Sequence, residues 1–298
     1  MITKKHISKL AAEAGFSAAC FCLPTDADEA PENVKSFVLL LKSYMPQDGL
    51  VDAFYVAKNE SYRAVQAMMD ELAKQDIVTW LLSNLRLKPI ATRSAGLARG
   101  LNTINYHGAF GSKFCMELIG LDVIPEGEAE KPEKAVLNCK DCKRCMNNCP
   151  GGAITEDGFI KERCIRFYMM SGKPMPEHLR PYIGAKDGSY AIIGCDVCQR
   201  VCPGNKAMEE KRMQAENSFT MEELLDPSAE VLERFGALYG RNYAIRNRIM
   251  AQALLAAGNS GDMKYLPRIR ELKGSPSPLV REHAAWAEEK MTNLQKIY

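Results

Sequence analysis

The first 130 residues show the hydrophobic patterns of both helices and strands. Ile7–Ala14 has a short amphipathic helix pattern, and residues 60–76 place apolar side chains at helical spacing. Residues 36–41 form a continuous apolar run with the length of a buried strand. Shorter strands are predicted at 102–106 and 114–119. This part of the chain is therefore predicted to mix α-helices and β-strands.

The last third of the chain has helical patterns throughout. Ile245–Arg248 and Val280–His283 resemble each other at a spacing of 35 residues, and each opens an alanine-rich segment. Glycine, serine and proline supply the turns between them. This period predicts a pair of HEAT-like helical repeats. The acidic, proline-bearing residues 125–134 indicate a linker. The predicted domains are 1–134, 135–206 and 207–298.

Composition narrows the class of protein. No run of about 18 apolar residues is present, so we expect no membrane-spanning helix. The N-terminus lacks the apolar core of a signal peptide, so we expect a cytoplasmic protein. Eleven cysteines in such a chain are typical of metal ligation in a reducing compartment.

Positive charge is concentrated near the C-terminus. The formal net charge of the whole chain is only +2, whereas residues 240–281 carry eight basic and two acidic side chains, or +6. This excess indicates either a surface that binds phosphate groups or a set of solvated helix faces. The candidates for contact with nucleic acid are Arg241, Arg246, Arg248 and Arg281.

The spacing of the cysteines carries the most specific chemical prediction. Residues 139–150 read Cys-x2-Cys-x2-Cys-x3-Cys-Pro, the bacterial ferredoxin spacing for [4Fe–4S] ligands. Residues 195–203 repeat the end of that run, and Cys164 is its displaced first member. In two-cluster ferredoxins the fourth cysteine of a run binds the other cluster, so the ligands divide into two sets. They are Cys139, Cys142, Cys145 and Cys202 for cluster I, and Cys149, Cys164, Cys195 and Cys198 for cluster II.

Two other uses of these cysteines remain open at this point. Paired Cys-x2-Cys units can bind structural zinc, although zinc rarely explains a repeated three-residue spacing followed by Cys-Pro. A disulfide framework is typical of small secreted chains, whereas this chain is neither small nor signal-bearing. Cys20, Cys22 and Cys115 lie outside the pattern and are expected to serve as small apolar residues.

The cysteine-rich segment resembles the double-cluster domain of the epoxyqueuosine reductase family over residues 139–205. The run from Tyr190 to Pro203 is close to that family's signature. Residues 278–287 resemble its C-terminal HEAT-like signature. Residues 95–97 and 110–112 resemble the glycine-rich stretch of its cobalamin domain. The resemblance therefore touches all three predicted domains.

This resemblance implies an α+β protein of three parts. The N-terminal domain would be a nitroreductase-like α/β sandwich that holds base-off cobalamin, followed by a ferredoxin-like double [4Fe–4S] domain and a HEAT-like tail that helps to hold tRNA. The implied reaction is reduction of epoxyqueuosine to queuosine in tRNA by a monomer. Electrons would pass from an external low-potential donor through both clusters to cobalt. The positions implied to contact cobalamin are Asn102, Gly111 and Ser112.

The chain also departs from the family's pattern. The family has a proton-donating aspartate about a dozen residues before its Ala-Gly-Leu-Gly stretch, but residues 80–86 of this chain contain no acid. Leu101 replaces a family lysine, and Arg63 follows Tyr62 where the family has histidine. An epoxide opening needs a proton source. Tyr106 and His107 are candidate substitutes, although a lone histidine is more often structural.

The departures keep other functions open. One is another corrinoid-dependent reduction, such as reductive dehalogenation, in which a tyrosine could supply the proton. Another is an electron-transfer protein that has no substrate and donates to the corrinoid of a partner. A DNA-bound redox sensor has only the basic tail in its favour. Retention of cobalamin and salt-dependent binding of tRNA would discriminate among these functions.

Overall fold

The computed structural model describes residues 2–25, 29–93, 95–184, 191–216 and 218–295. The strands are β1 (Ala18–Cys22), β2 (Ser36–Ser43), β3 (Gln47–Asp48), β4 (Thr79–Leu81), β5 (Ala98–Arg99), β6 (Asn105–Tyr106), β7 (Phe114–Leu121), β8 (Ile154–Thr155), β9 (Gly158–Phe159) and β10 (Met213–Gln214). The helices are α1 (Lys4–Glu13), α2 (Ala53–Ala73), α3 (Leu87–Arg93), α4 (Cys139–Cys142), α5 (Arg144–Asn147), α6 (Ile165–Ser171), α7 (Val197–Arg200), α8 (Lys206–Glu209), α9 (Met221–Leu225), α10 (Ala229–Tyr239), α11 (Arg246–Ser260), α12 (Leu266–Leu272) and α13 (Pro278–Gln295).

The chain divides into two compact units, each made of three segments. The first unit comprises Met1–Met45, Ala57–Lys143 and Cys202–Glu210, and the second comprises Pro46–Val56, Arg144–Val201 and Lys211–Tyr298. The mixed α+β class predicted from the sequence is confirmed, while the boundaries of the three predicted domains stay a prediction. Among the described residues, no helix is both long enough and apolar enough to cross a bilayer.

The first unit is built on a four-stranded antiparallel sheet in the order β1-β2-β7-β4. Residues 37–41 of the central strand β2 are completely buried. Phe37, Leu39 and Leu41 pack into one hydrophobic cluster, and Val38 and Leu40 pack into another. Because successive side chains of a strand point to opposite faces, this strand has apolar partners on both sides. Burial on both faces of the sheet therefore explains why the apolar run of β2 is continuous.

A buried carboxylate ties the sheet to α2 within the first unit. Glu117 of β7 is 2% exposed, and its carboxylate lies 2.5 Å from Lys58 Nζ. Ser61 Oγ donates to the same carboxylate at 2.6 Å. A buried carboxylate needs such partners because its desolvation is costly. The pair of contacts therefore fixes how α2 is rotated against β7.

Some predicted elements differ from the observed ones in their ends. The helix predicted at 60–76 begins earlier, at Ala53, and ends at Ala73. The strand predicted at 102–106 is reduced to Asn105–Tyr106, because residues 100–104 form a tight turn in which Thr103 has a φ of 60°. The strand predicted at 114–119 extends to Leu121. Local periodicity thus located each element, and longer-range pairing set where it stops.

The second unit contains the helical tail, whose core is α11 packed on α13. Every residue of α11 from Ile249 to Gly258 is buried. A Cβ added at Gly258 would lie 2.9 Å from the Cα of Ala287, so the two helices approach through small residues. The two segments predicted to open paired helices coincide with the starts of α11 and α13.

A buried neutral histidine joins three segments of the second unit. The Met175 N–H donates to His283 Nε2 at 3.1 Å, so the ring proton sits on Nδ1, which lies 2.9 Å from the Ala251 carbonyl oxygen. Burial, aided by the charge of Arg180, lowers the pKa of His283 to about 4. Protonation would remove the acceptor that the Met175 amide uses, so the neutral ring is the one that fits.

We predict that His283 makes stability depend on pH. The unfolded histidine titrates near the ordinary pKa of 6.5 and the folded one at about 4, so the unfolded state binds the extra proton between these values. The stabilisation is complete above pH 6.5 and is lost as pH falls toward 4. Between pH 7.5 and 5.5 the loss should be about 1 kcal/mol. Chemical unfolding of wild type and H283Q at both pH values measures it.

The exposed His178 supplies the matched control for this experiment. H178Q should keep the wild-type loss of unfolding free energy, whereas H283Q should show a smaller loss. Equal losses in wild type and H283Q would contradict a neutral, buried His283.

Candidate iron–sulfur centre

Short helical turns position half of the eight cysteines of the ferredoxin pattern. Cys139 and Cys142 begin and end α4, and Lys143 then adopts a left-handed φ of 47°, which ends the helix. Cys145 lies on α5 and Cys198 on α7, each a single turn of four residues. A three-residue spacing places two side chains on one side of such a turn. The described part of each run therefore has the local geometry that wraps a compact inorganic group.

Four predicted ligands of cluster II lie in the second unit, and their thiols come close to one another. Burial raises the pKa of Cys198 to about 12, and the neighbouring thiols of Cys164, Cys149 and Cys145 raise it further. Burial also raises the pKa of Cys195, next to the thiols of Cys198 and Cys164. Thiols distant in sequence therefore share one buried place.

A glycine allows the first run and Cys164 to approach each other. A Cβ on Gly151 would lie 1.8 Å from the Arg163 carbonyl oxygen, a distance that no side chain permits. Gly151 follows Cys149 by two residues, and Arg163 immediately precedes Cys164. The close backbone contact therefore brings two predicted ligands of one cluster together.

Backbone amides donate to two of these sulfur atoms. The Ala153 N–H donates to Cys149 Sγ at 3.3 Å. The Val197 N–H donates to Cys195 Sγ and lowers the pKa of that thiol, against the larger effect of burial. Hydrogen bonds to ligand sulfurs are among the features that set cluster potentials. The segment thus provides thiols together with donors that stabilise their charged form.

This donor set fits a [4Fe–4S] cluster. Four cysteines supply one thiolate to each iron. The cysteines are partly buried, which limits access of water to the site. Within the described ranges, no three histidine, cysteine or acidic side chains converge closely enough to hold a single metal ion. A cluster does not need that convergence, because each thiolate binds a different iron atom.

Two arginines and two aspartates hold α7 to the strands beside it in the second unit. Arg200 Nη2 lies 2.8 Å from Asp48 Oδ1. Arg212 lies 3.1 Å from Asp48 and 2.6 Å from Asp196, which immediately precedes α7. Partly buried pairs of this kind lose more when one partner is removed than surface pairs do. The network therefore fixes the turn that carries Cys198.

In the first unit, the segment that begins at Cys202 is tied to the glycine-rich stretch. The Tyr106 ring lies beside Gly204, where an added Cβ would be 3.3 Å from the ring. The Ser112 N–H donates to Asn205 Oδ1 at 2.7 Å, and Asn205 Nδ2 donates to Ser112 Oγ at 2.9 Å. Two further residues form an ion pair: Lys113 Nζ lies 2.8 Å from Glu209.

The three positions implied to contact cobalamin are buried against protein groups. Asn102 Nδ2 donates to the Tyr106 hydroxyl at 2.9 Å, and Ser112 bonds to Asn205. Gly111 has a φ of 54°, and a Cβ there would lie 2.1 Å from Asn205 Oδ1. Asn102 and Ser112 therefore form hydrogen bonds within the protein in the described structure. Contact of the three positions with cobalamin stays a prediction.

Tyr106 and His107 are neighbours with different surroundings. Tyr106 is fully buried beside Cys202 and Gly204. His107 stacks on Phe110 at 4.0 Å and lines a cavity of about 850 Å³ that α1 and residues 128–133 also line. The Ala109 N–H donates to His107 Nδ1 at 3.2 Å, and burial lowers the pKa of this histidine. The neutral ring thus carries its proton on Nε2.

The basic residues near the C-terminus are mostly paired with acids from outside the counted segment. Arg246 lies 2.7 Å from Asp226, which also lies 3.0 Å from Arg268. Arg270 and Lys273 share Glu288 at 2.8 and 2.6 Å. The excess of +6 in sequence is therefore partly neutralised by folding.

Three of the four arginine candidates keep their charge without an acidic partner in the described part of the chain. Arg241 and Arg248 form no ion pair there. Arg281 Nη1 donates to the carbonyl oxygens of Ser275 at 2.7 Å and Pro276 at 3.0 Å. Arg246 differs from these because Asp226 holds its guanidinium.

The cysteine-rich segment matches a known family model. The model of a 4Fe-4S double cluster binding domain matches residues 138–205. This match confirms the prediction of two [4Fe–4S] clusters, while the division of ligands between them stays a prediction. Tyr190, at the start of the signature run, lies outside the described residues.

Relatives and solved structures point in the same direction. The chain is 28% identical over 185 residues to an epoxyqueuosine reductase of Lactococcus garvieae and 32% identical over 159 residues to one of Bacillus subtilis. The chain resembles the epoxyqueuosine reductases in sequence and in fold. An epoxyqueuosine reductase solved with an epoxyqueuosine-modified tRNA stem loop aligns with a TM-score of 0.74 at 20% identity, covering 97% of this chain and 90% of that one. The enzyme of Streptococcus thermophilus aligns with a TM-score of 0.74 at 17% identity, covering 98% and 91%.

The two sequence matches are partial. They cover 59% and 50% of this chain, and the chain spans 51% and 39% of the length of the two relatives. The resemblance to the epoxyqueuosine reductase family predicted from motifs is confirmed at this level.

Sequence reasoning missed several residues that shape the site. Asn205 stands three residues after Cys202 and gives no local signal, because its partner Ser112 is 93 residues away. Arg212 was missed for the same reason, since its acids lie at Asp48 and Asp196. The pair Gly151-Gly152 after Cys149-Pro150 was a usable signal, because adjacent glycines indicate a close backbone approach or an unusual φ.

We predict that G151A abolishes cluster II. The added Cβ would overlap the Arg163 carbonyl, so the backbone beside Cys149 and Cys164 must separate. Anaerobic reconstitution should then load about four irons per chain instead of about eight. Iron analysis with electron paramagnetic resonance (EPR) of the reduced protein measures this loss.

The matched control is G274A in the helical tail, where the nearest atom lies 3.3 Å from the added Cβ. This variant should keep the wild-type iron content. A G151A protein that also keeps full iron would show that the approach of Gly151 to Arg163 does not position cluster ligands.

Proposed function

We propose that this chain is an iron–sulfur oxidoreductase of the epoxyqueuosine reductase type, which passes single electrons through two [4Fe–4S] clusters. The observation that carries the proposal is the close group of half-buried thiols that Cys149, Cys164, Cys195 and Cys198 form within the double-cluster segment. Burial and the neighbouring thiols raise the pKa of Cys195 and Cys198, and binding of iron removes that cost because it takes up the negative charge of the thiolates. The second set would be Cys139, Cys142, Cys145 and Cys202.

The substrate we propose is epoxyqueuosine in tRNA. The solved relative that holds an epoxyqueuosine-modified tRNA stem loop supports this substrate, since its fold matches along nearly the whole chain. Reduction of an epoxide to an alkene takes two electrons and two protons and releases water. Two one-electron clusters in series suit delivery of those electrons from a low-potential donor. The protein would act as a cytoplasmic monomer.

Cobalamin enters the proposal through the resemblance to the family alone. In that family the cofactor would supply the reduced cobalt centre that receives the electrons. Asn102 and Ser112 bond to Tyr106 and Asn205, so we assign no side chain of this chain to the cofactor. Cobalt content must therefore be measured directly.

The source of protons differs from that of the family. Residues 80–86 contain no acid, and Tyr106 is fully buried. His107 is the better placed of the two candidates because it lines a cavity, and it would have to take up a second proton, against its lowered pKa, before it could act as a general acid. A general acid must reach the leaving oxygen, so its role depends on where the substrate binds.

A second function is favoured by the same departure. An electron-transfer protein that donates to a partner's corrinoid needs no proton donor of its own. The missing acid at 80–86 and the burial of Tyr106 suit such a protein. The clusters would be the same, and only the bound cobalamin and the turnover of tRNA would differ.

We predict that the protein purified anaerobically with cobalamin holds about eight irons and about one cobalt per chain. Incubation with a strong reductant should convert epoxyqueuosine to queuosine in tRNA, as read by mass spectrometry of the nucleosides. Eight irons with no cobalt and no conversion would refute the reductase and leave the electron-transfer protein. Absence of iron would refute both.

The tail offers a place for phosphate groups in the second unit. A cavity of about 350 Å³ is lined by Arg248, Ile245 and Asn247 at the start of α11, and by Pro278 and Leu279 at the start of α13. The first turns of helices present unpaired N–H groups that favour anions. Arg248, which forms no ion pair in the described part of the chain, therefore lies beside two helix starts.

We predict that R241Q/R248Q weakens binding of tRNA and flattens its salt dependence by about two, because two phosphate contacts disappear. The matched control R246Q/R268Q also removes two arginines, but ones paired with Asp226. Its salt slope should stay near that of the wild type. Fluorescence anisotropy with labelled tRNA across salt concentrations measures both. Equal slopes for the two double variants would assign no special role to Arg241 and Arg248.

A further inference from the structure

Inside the first unit, an almost fully buried pair of side chains joins the segment 202–210 to the glycine-rich stretch. Asn205 is 1% exposed and Ser112 is 2% exposed. The Ser112 N–H donates to Asn205 Oδ1 at 2.7 Å, and Asn205 Nδ2 donates to Ser112 Oγ at 2.9 Å. Because water does not reach these groups, neither residue can replace its partner by solvent. The two residues therefore hold each other in one orientation.

Gly111 brings the two segments closer than any other residue would allow. Its φ is 54°, and an added Cβ would lie 2.1 Å from Asn205 Oδ1 and 2.5 Å from the Gly204 carbonyl oxygen. The left-handed φ and the lack of space both require glycine at this position. Further along the two segments, Lys113 Nζ lies 2.8 Å from Glu209. The contact thus extends over most of the segment that follows Cys202.

The same turn lies beside the first cysteine run. The Asn205 N–H donates to the Cys202 carbonyl oxygen at 2.9 Å, which closes a turn between them. A Cβ on Gly204, inside this turn, would lie 2.9 Å from Leu137 Cδ2. Leu137 stands two residues before Cys139. The side chain of Asn205 therefore fixes a turn that begins at one predicted ligand and contacts the segment leading to another.

We propose that Asn205 is a positioning residue, whose bonds to Ser112 hold Cys202 where it can bind cluster I. The proposal rests on the proposed function, because it requires the clusters and the predicted division of their ligands. The other predicted ligands of cluster I lie within residues 139–145, more than fifty residues before Cys202. Local spacing does not set the position of a ligand so distant in sequence, so a tertiary contact must do so.

The experiment is EPR of the reconstituted protein after treatment with ferricyanide. N205A removes both side-chain bonds and leaves the cysteine itself in place. When Cys202 is displaced, one iron of cluster I has no thiolate. Ferricyanide then takes up one electron and that iron leaves as Fe²⁺, so that [4Fe–4S]²⁺ becomes [3Fe–4S]⁺. We expect about one EPR-active [3Fe–4S]⁺ per chain in N205A and close to none in the wild type.

Two further variants test the contact from the other side. G111A keeps every hydrogen-bonding group but would force the segments apart, so it should give the same [3Fe–4S]⁺ signal as N205A. S112A keeps the shortest bond, from the backbone N–H to Asn205 Oδ1, and should give a weaker signal. This order of signals follows from the geometry of the contact and not from a general loss of stability.

The controls are a glycine and an asparagine that lie away from the contact. Gly127 has a φ of 80° and no atom within 4 Å of an added Cβ, so G127A introduces backbone strain without overlap. Asn259 Nδ2 donates to the carbonyl oxygens of Arg180 and Ile183 at 2.8 Å in the second unit, so N259A removes an amide of similar bonding. Both variants should give no [3Fe–4S]⁺ signal.

The possible results distinguish this inference from the proposed function. A wild type with two clusters, and N205A and G111A proteins that keep both without the signal, would overturn the inference and leave the function standing. Loss of all iron in both variants would also overturn it, because the contact would then hold the fold and not one ligand. So would an equal signal in the controls. A wild type without clusters would refute both the inference and the function.

Discussion

The convergence of thiols from distant parts of the chain is the constraint on which the cysteine-rich part of the second unit depends. Cys149, Cys164 and Cys198 are far apart in sequence, and their thiols lie near one another. Each thiolate brings charge that is costly to bury. Metal binding offsets that cost, so folding of this segment and loading of iron are one thermodynamic process. Two features meet this requirement. Gly151 allows a close backbone contact that a Cβ would block, and the amides of Ala153 and Val197 donate to ligand sulfurs.

The same principle explains why polar residues are buried around Cys202. Its segment is held by hydrogen bonds and an ion pair to the glycine-rich stretch, since it is too short to have a hydrophobic core. Buried polar contacts of this kind are directional and specify one arrangement more narrowly than apolar packing does. Two such pairs are Asn102 with Tyr106 and Ser112 with Asn205, the second of which joins the glycine-rich stretch to the segment after Cys202.

The helical tail shows how folding changes which basic side chains are available to bind an anion. A count along the chain gives a strong positive excess, yet Asp226 and Glu288 each form ion pairs with two of the eight basic residues, and Glu222 pairs with Lys264. Within the described residues, Arg241, Arg248 and Arg281 are the three that have no acidic partner. Phosphate binding depends on charges that are not already satisfied, so these positions matter more than the total.

The sequence by itself determined the cluster chemistry and the main elements. Cysteine spacing is a local property that survives in any fold, and the apolar run of β2 and the helical periods of α11 and α13 are equally local. Only the tertiary structure decided what each polar residue does. Tyr106 and His107 are adjacent in sequence, but one is fully buried and bonds to Asn102, and the other lines a cavity. Arg246 and Arg248 likewise look alike until Asp226 is placed beside one of them. The physical reason is that a side chain's role depends on its partners, and these partners lie tens of residues away, where no local pattern reaches.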